Sequence, residues 1–80
     1  MTHPASYLGG MTSEQRALAA VETLKAHISL VEVYAGGWLQ FCRIARPIYR
    51  NYGFGRADLQ RIWWMIAERA QADLRRMRVH

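Results

Sequence analysis

An apolar stripe with the spacing of an α-helix occupies the last third of the chain and constrains the fold more than any other feature of the sequence. Its members recur every three or four residues, so a helix places all of them on one side. They are Leu59, Ile62, Trp63, Ile66, Ala70, Leu74 and Met77. The pattern predicts a long amphipathic helix over about 56–78, with a core against its apolar side.

A second stripe of the same kind predicts a helix over about 13–35. Its members are Ala17, Val21, Leu24, Ile28, Val31 and Ala35. Thr12 and Gln15 have the spacing of a capping box, in which each side chain bonds the backbone of the other residue. Gly36 and Gly37 follow the stripe, and glycine commonly adopts the left-handed conformation that ends a helix. We therefore expect this helix to begin after Thr12 and to end before the glycine pair.

The middle of the chain predicts a further helix over about 38–51. Its apolar members are Trp38, Phe41, Cys42, Ala45, Tyr49 and Tyr52. Pro47 lies inside this pattern, and an internal proline removes a hydrogen bond and clashes with the preceding turn. We expect the helix to be kinked or split at Pro47. The fold class predicted from the three patterns is a small all-α, three-helix domain.

A β-hairpin over about 27–45 is the alternative, because β-branched residues precede the glycine pair and a second apolar run follows it. Pairing across that turn would place Glu32 opposite Phe41 and Leu30 opposite Arg43. Neither face of such a hairpin would be apolar. The helical pattern has no such defect, and the sequence therefore favours helix.

The length and composition of the chain predict one globular domain. The chain has 80 residues, of which 51% are hydrophobic and 21% charged, a balance typical of folded proteins. Residues 1–12 have no apolar period, so we expect a flexible N-terminal arm followed by a single helical domain over 13–80. The apolar runs fall far short of the ~18–20 residues that span a bilayer, and residues 1–10 lack a leader pattern, so we expect a cytoplasmic protein.

The residues that usually perform catalysis do not form a recognisable pattern. His3, His27 and His80 do not have the spacing of a helical metal pair. Cys42 is the only cysteine and has no local orienting group that would activate it as a nucleophile. The sequence contains no glycine-rich phosphate loop. We therefore expect no enzymatic activity, no metal site and no cofactor.

Positive charge is concentrated in the second half of the chain. Residues 1–35 carry two basic and three acidic side chains, whereas residues 36–80 carry nine arginines and three acidic side chains. One cluster of arginines and tyrosines could contact the phosphates and bases of a nucleic acid. Its members are Arg43, Arg46, Arg50, Arg56, Tyr49 and Tyr52. Nucleic-acid binding by this arginine-rich edge is our alternative function; a solvated basic edge is the purely structural interpretation.

Two apolar residues, Trp64 and Met65, fall on the polar side of the predicted last helix. The arginines around them are Arg61, Arg69, Arg75 and Arg76. Tryptophan and arginine dominate many protein–protein contacts, and methionine adapts to irregular surfaces. The leading functional prediction is therefore a module that docks on the acidic surface of a larger protein and regulates or inhibits it. The competing interpretation is a last helix that is simply packed on two sides.

The sequence does not separate the kinds of protein that such a module could be. An adaptor, an assembly subunit and an inhibitor encoded by a mobile element all fit it. A homodimer is also possible, since so small a core gains from burying more apolar surface. Attachment to a membrane is not expected, because an intramolecular partner explains the apolar stripe of the last helix better.

Overall fold

The computed structural model describes residues 10–78, and three α-helices account for most of them. The helices are α1 (Ser13–Lys25), α2 (Leu30–Ile48) and α3 (Arg56–Arg78). Residues 10–78 contain no strand, so the all-α prediction is confirmed and the hairpin over 27–45 is wrong. None of the helices in this range is long and apolar enough to cross a membrane. The predicted flexible arm falls mainly on residues 1–9, outside the described range.

The capping box at the start of α1 is present as predicted. The Gln15 backbone N–H donates to the Thr12 hydroxyl over 3.1 Å, and the Thr12 N–H donates to Gln15 Oε1 over 2.9 Å. These bonds satisfy two groups that the first turn of a helix otherwise leaves without partners. The local sequence therefore fixes where the first helix begins.

The end of α1 differs from the prediction, because α1 stops at Lys25 rather than near residue 35. Residues 26–29 form a turn, and Ser29 is extended, with φ −63° and ψ 134°. The turn reverses the chain and places Leu30 and Val33 in the same core as Leu24. A continuous helix over 13–35 could not fold back in this way, so tertiary packing overrides the uninterrupted periodicity.

The bend in α2 lies at Gly37. The sequence pattern had predicted it at Pro47, and that prediction is wrong. Gly37 has φ 87° and ψ 176°, so α2 consists of two helical segments joined at this residue. That conformation is essentially restricted to glycine, because a Cβ atom would clash with the backbone. Pro47 lies one residue before the helix ends at Ile48. The glycine pair therefore redirects a helix instead of terminating one.

α3 has the bounds that the sequence predicted. Arg16 pairs with Asp58 and Glu22 pairs with Arg69, so α1 and α3 run in the same direction. Between them in sequence, α2 runs the opposite way, since its early residue Tyr34 bonds Gln71 near the end of α3. The three helices form an up-down-up bundle.

The bundle core joins all three helices. Its largest fully buried side chains are Phe41, Leu24, Ile62, Ile66, Val21 and Val33. An aromatic group extends this core between α2 and α3, where Trp63 packs with ring centroids 5.5–6.2 Å from Tyr34, Trp38 and Phe41. A second aromatic group of Tyr49, Tyr52 and Phe54 closes the end where α2 leads into α3.

Candidate protein-docking face

The two adjacent tryptophans of α3 have opposite environments. Trp63 packs in the aromatic group, whereas Trp64 is 69% exposed. Successive residues of a helix are rotated by about 100°, so Trp64 lies about 200° around the helix from both Ile62 and Ile66. Because Ile62 and Ile66 are fully buried, the geometry of α3 directs the indole of Trp64 away from the core.

An exposed stripe runs along α3 on either side of Trp64; we call it the outer face. Its members are Ala57, Gln60, Arg61, Trp64, Glu68, Gln71, Arg75 and Arg78. A shallow cleft of about 360 Å³ lies beside the indole, lined by Ala57, Gln60, Arg61 and Trp64. Within residues 10–78, Arg61, Arg75 and Arg78 have no carboxylate within 4.0 Å. The outer face therefore combines one large aromatic ring with uncompensated positive charge.

Three of the six residues predicted for docking have other contacts. Met65 is half-buried against the core, on the side of α3 that carries Asp58 and Arg69. Arg69 donates to Glu22 over 2.8 Å, and Arg76 donates to Asp73 over 2.6 Å. The expectation that Met65 lies on the exposed side of the helix is therefore wrong, because packing against α1 covers that side. Trp64, Arg61 and Arg75 keep the placement that the sequence predicted.

The arginine-rich edge is exposed, as the sequence predicted for its guanidinium groups. Arg43 and Arg46 lie on α2, Arg50 lies in the turn that follows it, and Arg56 begins α3; all four are exposed. None of the four has a carboxylate within 4.0 Å in the described range. The sequence contains no aspartate or glutamate between Glu32 and Asp58. This edge is therefore a second uncompensated basic surface.

The tyrosines predicted to accompany these arginines are largely structural. Tyr49 is 5% exposed, and its hydroxyl donates to the Ala20 carbonyl oxygen in α1. Burial raises the pKa of Tyr49 above the ordinary tyrosine value. Tyr52 is half-buried, with its hydroxyl 3.4 Å from the Thr23 hydroxyl. The prediction that these two rings stack on bases is therefore wrong for Tyr49, which belongs to the core.

A cleft of about 210 Å³ adjoins the arginine-rich edge, where α2 ends and α3 begins. Its lining residues are Ala45, Arg46, Tyr49, Arg50, Gly53, Phe54 and Leu59. Leu39, which sequence reasoning missed, is 73% exposed one turn before Arg43. The sequence does contain a pattern that predicts this exposure: Leu39 and Arg43 are four residues apart, so a helix that restarts after Gly37 places both on the same side.

The described residues show no metal-binding cluster. No group of three His, Cys, Asp or Glu side chains in the described range is placed to hold a metal ion. His27 Nδ1 lies 2.9 Å from the Thr23 carbonyl oxygen, one turn earlier in the chain. Cys42 is half-buried beside the core.

Comparison with known proteins yields no relative, because no family model, curated protein or solved structure matches the chain.

Proposed function

We propose that this chain is a non-enzymatic helical module that docks through the outer face of α3 on a larger protein and regulates or inhibits it. The observation that carries the proposal is the exposure of Trp64. An indole is among the largest apolar side chains, and its exposure leaves its burial free energy available to a partner. The bundle gains nothing comparable from Trp64, because Trp63 already occupies the interior position.

The charges of the outer face indicate the chemistry of the partner. Arg61 lies one turn before Trp64 and Arg75 about three turns after it, both without a carboxylate partner in the described range, and Glu68 is the one acidic member of the stripe. An acidic surface with an apolar pocket would complement this face. In a symmetric homodimer, two copies of this face, each with three arginines and one glutamate, would bring net positive charge together, which is unfavourable. The proposal is therefore a different, acidic protein rather than a second copy.

The test uses Trp64→Ala. Proteins that the wild-type chain retains from its host are purified and titrated against both forms by calorimetry. We expect the variant to bind at least ~30-fold more weakly, which corresponds to the ~2 kcal/mol typical of a dominant contact residue. Circular dichroism should show unchanged helicity, because Trp64 contributes little to the core.

Leu39→Ala is the matched control, since Leu39 is equally exposed but lies on α2. We expect this variant to bind the partner as the wild-type chain does. A partner that binds Trp64→Ala and the wild-type chain equally would refute docking through this face. Sedimentation of the isolated chain tests for a homodimer. If the wild-type chain has the mass of two chains and Trp64→Ala has the mass of one, the outer face binds a second copy and not the proposed acidic protein.

A second candidate function, nucleic-acid binding through the arginine-rich edge, is supported by its four exposed arginines. A basic surface that contacts phosphates releases counterions, so its binding weakens steeply with salt. Anisotropy of labelled single-stranded and duplex DNA, measured at ~50 mM and ~200 mM salt, tests this function. Absence of binding at the lower salt concentration would exclude it.

A further inference from the structure

The cleft between the end of α2 and the start of α3 combines an apolar floor with two arginines at its rim. The half-buried side chains of Leu59 and Phe54 contribute apolar surface, with the buried Ala45 behind them. Arg46, in the last turn of α2, and Arg50, in the turn after it, also line the cleft. Neither has a carboxylate within 4.0 Å in the described range. A ligand that fits both parts has a flat or apolar body and an attached anion.

The volume of the cleft limits the size of that ligand. About 210 Å³ is smaller than the ~300–1,000 Å³ of typical small-molecule pockets. The aromatic floor is only partly available, because the Arg16 guanidinium lies 5.5 Å from the centre of the Phe54 ring. The cleft therefore suits one ring with one anionic group, and not a larger cofactor.

Positive charge continues beyond the cleft in both directions. Arg43 lies one turn before Arg46 on α2, and Arg56 lies at the start of α3; both are exposed. An isolated small anion would use only Arg46 and Arg50, whereas a chain of phosphates passing the cleft would use all four. The line of charge therefore favours a polymer of phosphate-linked units.

We propose that this cleft binds one unpaired nucleotide of a nucleic-acid single strand. The base lies on the floor of Phe54 and Leu59, and its phosphate lies between Arg46 and Arg50. The proposal rests on the second function above, to which it adds a specific site and a preference for single strands. A duplex would not present a base to the cleft, because its bases are stacked and paired.

The binding experiment compares two double variants with equal loss of charge. Arg46→Gln with Arg50→Gln alters the cleft, and Arg61→Gln with Arg75→Gln alters the outer face as a control. We measure anisotropy of a labelled twelve-nucleotide oligothymidine and of the matching duplex, over a range of salt concentrations. We expect at least ~10-fold weaker strand binding for the cleft variant and less than ~3-fold for the control.

The salt dependence gives an independent count of contacts. Single-strand binding changes with the logarithm of salt concentration by a slope of about −0.7 per phosphate contact. Four arginine contacts predict a slope of about −2.8, which the cleft variant should reduce to about −1.4. The outer-face control should leave the slope unchanged.

Amide chemical shifts of the isotopically labelled protein locate the base. Thymidine monophosphate should shift the signals of Gly53, Phe54 and Leu59, while inorganic phosphate alone should affect only residues around Arg46 and Arg50. The same shifts with oligothymidine would show that a strand uses the site, and shifts with the monophosphate alone would assign the cleft to a free nucleotide and overturn the strand proposal.

Other results distinguish a failure of the cleft as a nucleotide site from a failure of nucleic-acid binding as a whole. If both double variants bind the strand equally weakly, or if the wild-type chain binds duplex and single strand with equal affinity, the cleft is not a nucleotide site. Nucleic acid would then bind to positive charge without a specific site. If the wild-type chain binds no strand at ~50 mM salt, both nucleic-acid binding by the arginine-rich edge and the nucleotide site in the cleft are refuted. Tighter binding of a phosphotyrosine peptide than of oligothymidine would assign the cleft to a phosphoprotein instead.

Discussion

A single tyrosine hydroxyl links α2 to α1. The Tyr49 O–H donates to the Ala20 carbonyl oxygen inside the core, and Tyr49→Phe would leave that oxygen without its partner. We expect the free energy of unfolding to fall by about 1–2 kcal/mol, the usual cost of an unmade buried hydrogen bond. Urea denaturation measures the change. Tyr34→Phe is the control, because its hydroxyl accepts an exposed bond from Gln71; an equal loss there would contradict the role of burial.

The same residue makes stability sensitive to alkaline pH. Burial raises the pKa of Tyr49 above its ordinary value of 10.0, so above pH 10 the unfolded chain loses the phenol proton and the folded chain keeps it. The protonated Tyr49 phenol therefore contributes fully to the free energy of unfolding below pH 10. This contribution is lost as the pH rises, by up to about 1.4 kcal/mol per pH unit. Urea midpoints between pH 9 and 11 should therefore fall less in Tyr49→Phe than in the wild-type chain. Equal slopes would contradict this assignment.

Sequence periodicity predicted the exposure of Trp64 and placed Tyr49 on the apolar side of its segment, but it did not predict the hydrogen bond of Tyr49. The exposure of Trp64 follows from rotation within one helix, which the spacing of Ile62 and Ile66 already specifies. Tyr49 depends on a carbonyl group 29 residues earlier, and no local pattern reports a contact of that kind. Candidate site residues are therefore predictable where a single helix determines them, and less so where helix packing does.

The bend of α2 depends on one backbone conformation. Gly37→Ala would place a Cβ atom at φ 87° and ψ 176°, a region that costs about 1–3 kcal/mol for other residues. We expect a loss of unfolding free energy in that range, measured by urea denaturation. Gly10→Ala should change it little, since a Cβ atom at Gly10 meets nothing within 4 Å. A neutral Gly37→Ala would show that the bend can relax into a straight helix.

Helix boundaries were predictable where local chemistry determines them. The capping box at Thr12 and the uninterrupted stripe of α3 gave correct bounds, because both signals lie within the element itself. The turn over residues 26–29 has a weaker signal: the stripe of α1 continues through it without a glycine or a proline, and although Ser29 and Glu32 have capping-box spacing, the Ser29 side chain makes no capping bond. That break forms because it brings Leu30 and Val33 into the core, and only the assembled bundle supplies the free energy for it.

Charge is distributed unevenly over the whole molecule. The ion pairs of the described residues include two that join α1 to α3, Arg16 with Asp58 and Arg69 with Glu22. The arginines of the two proposed binding surfaces have no such partners in the described range. Arg43 and Arg46 on α2, and Arg75 and Arg78 on α3, are like charges three residues apart, a spacing that destabilises a helix slightly. These four arginines therefore do not favour folding.

Reversing one charge on α2 tests that interpretation. Arg46→Glu would pair with Arg43 three residues earlier on α2, replacing repulsion by attraction, whereas Arg50 lies in the turn after the helix. We expect the free energy of unfolding to rise by about 0.5–1 kcal/mol at low salt, the sum of one helical repulsion removed and one helical attraction gained. Urea denaturation at ~20 mM and ~300 mM salt checks the prediction, because screening should remove most of the gain. Arg61→Glu has no arginine three or four residues away and lies three residues from Asp58, so it should not stabilise the bundle. Destabilisation by Arg46→Glu would show that the Arg46 side chain packs as part of the fold, and its exposure would then no longer support a binding role.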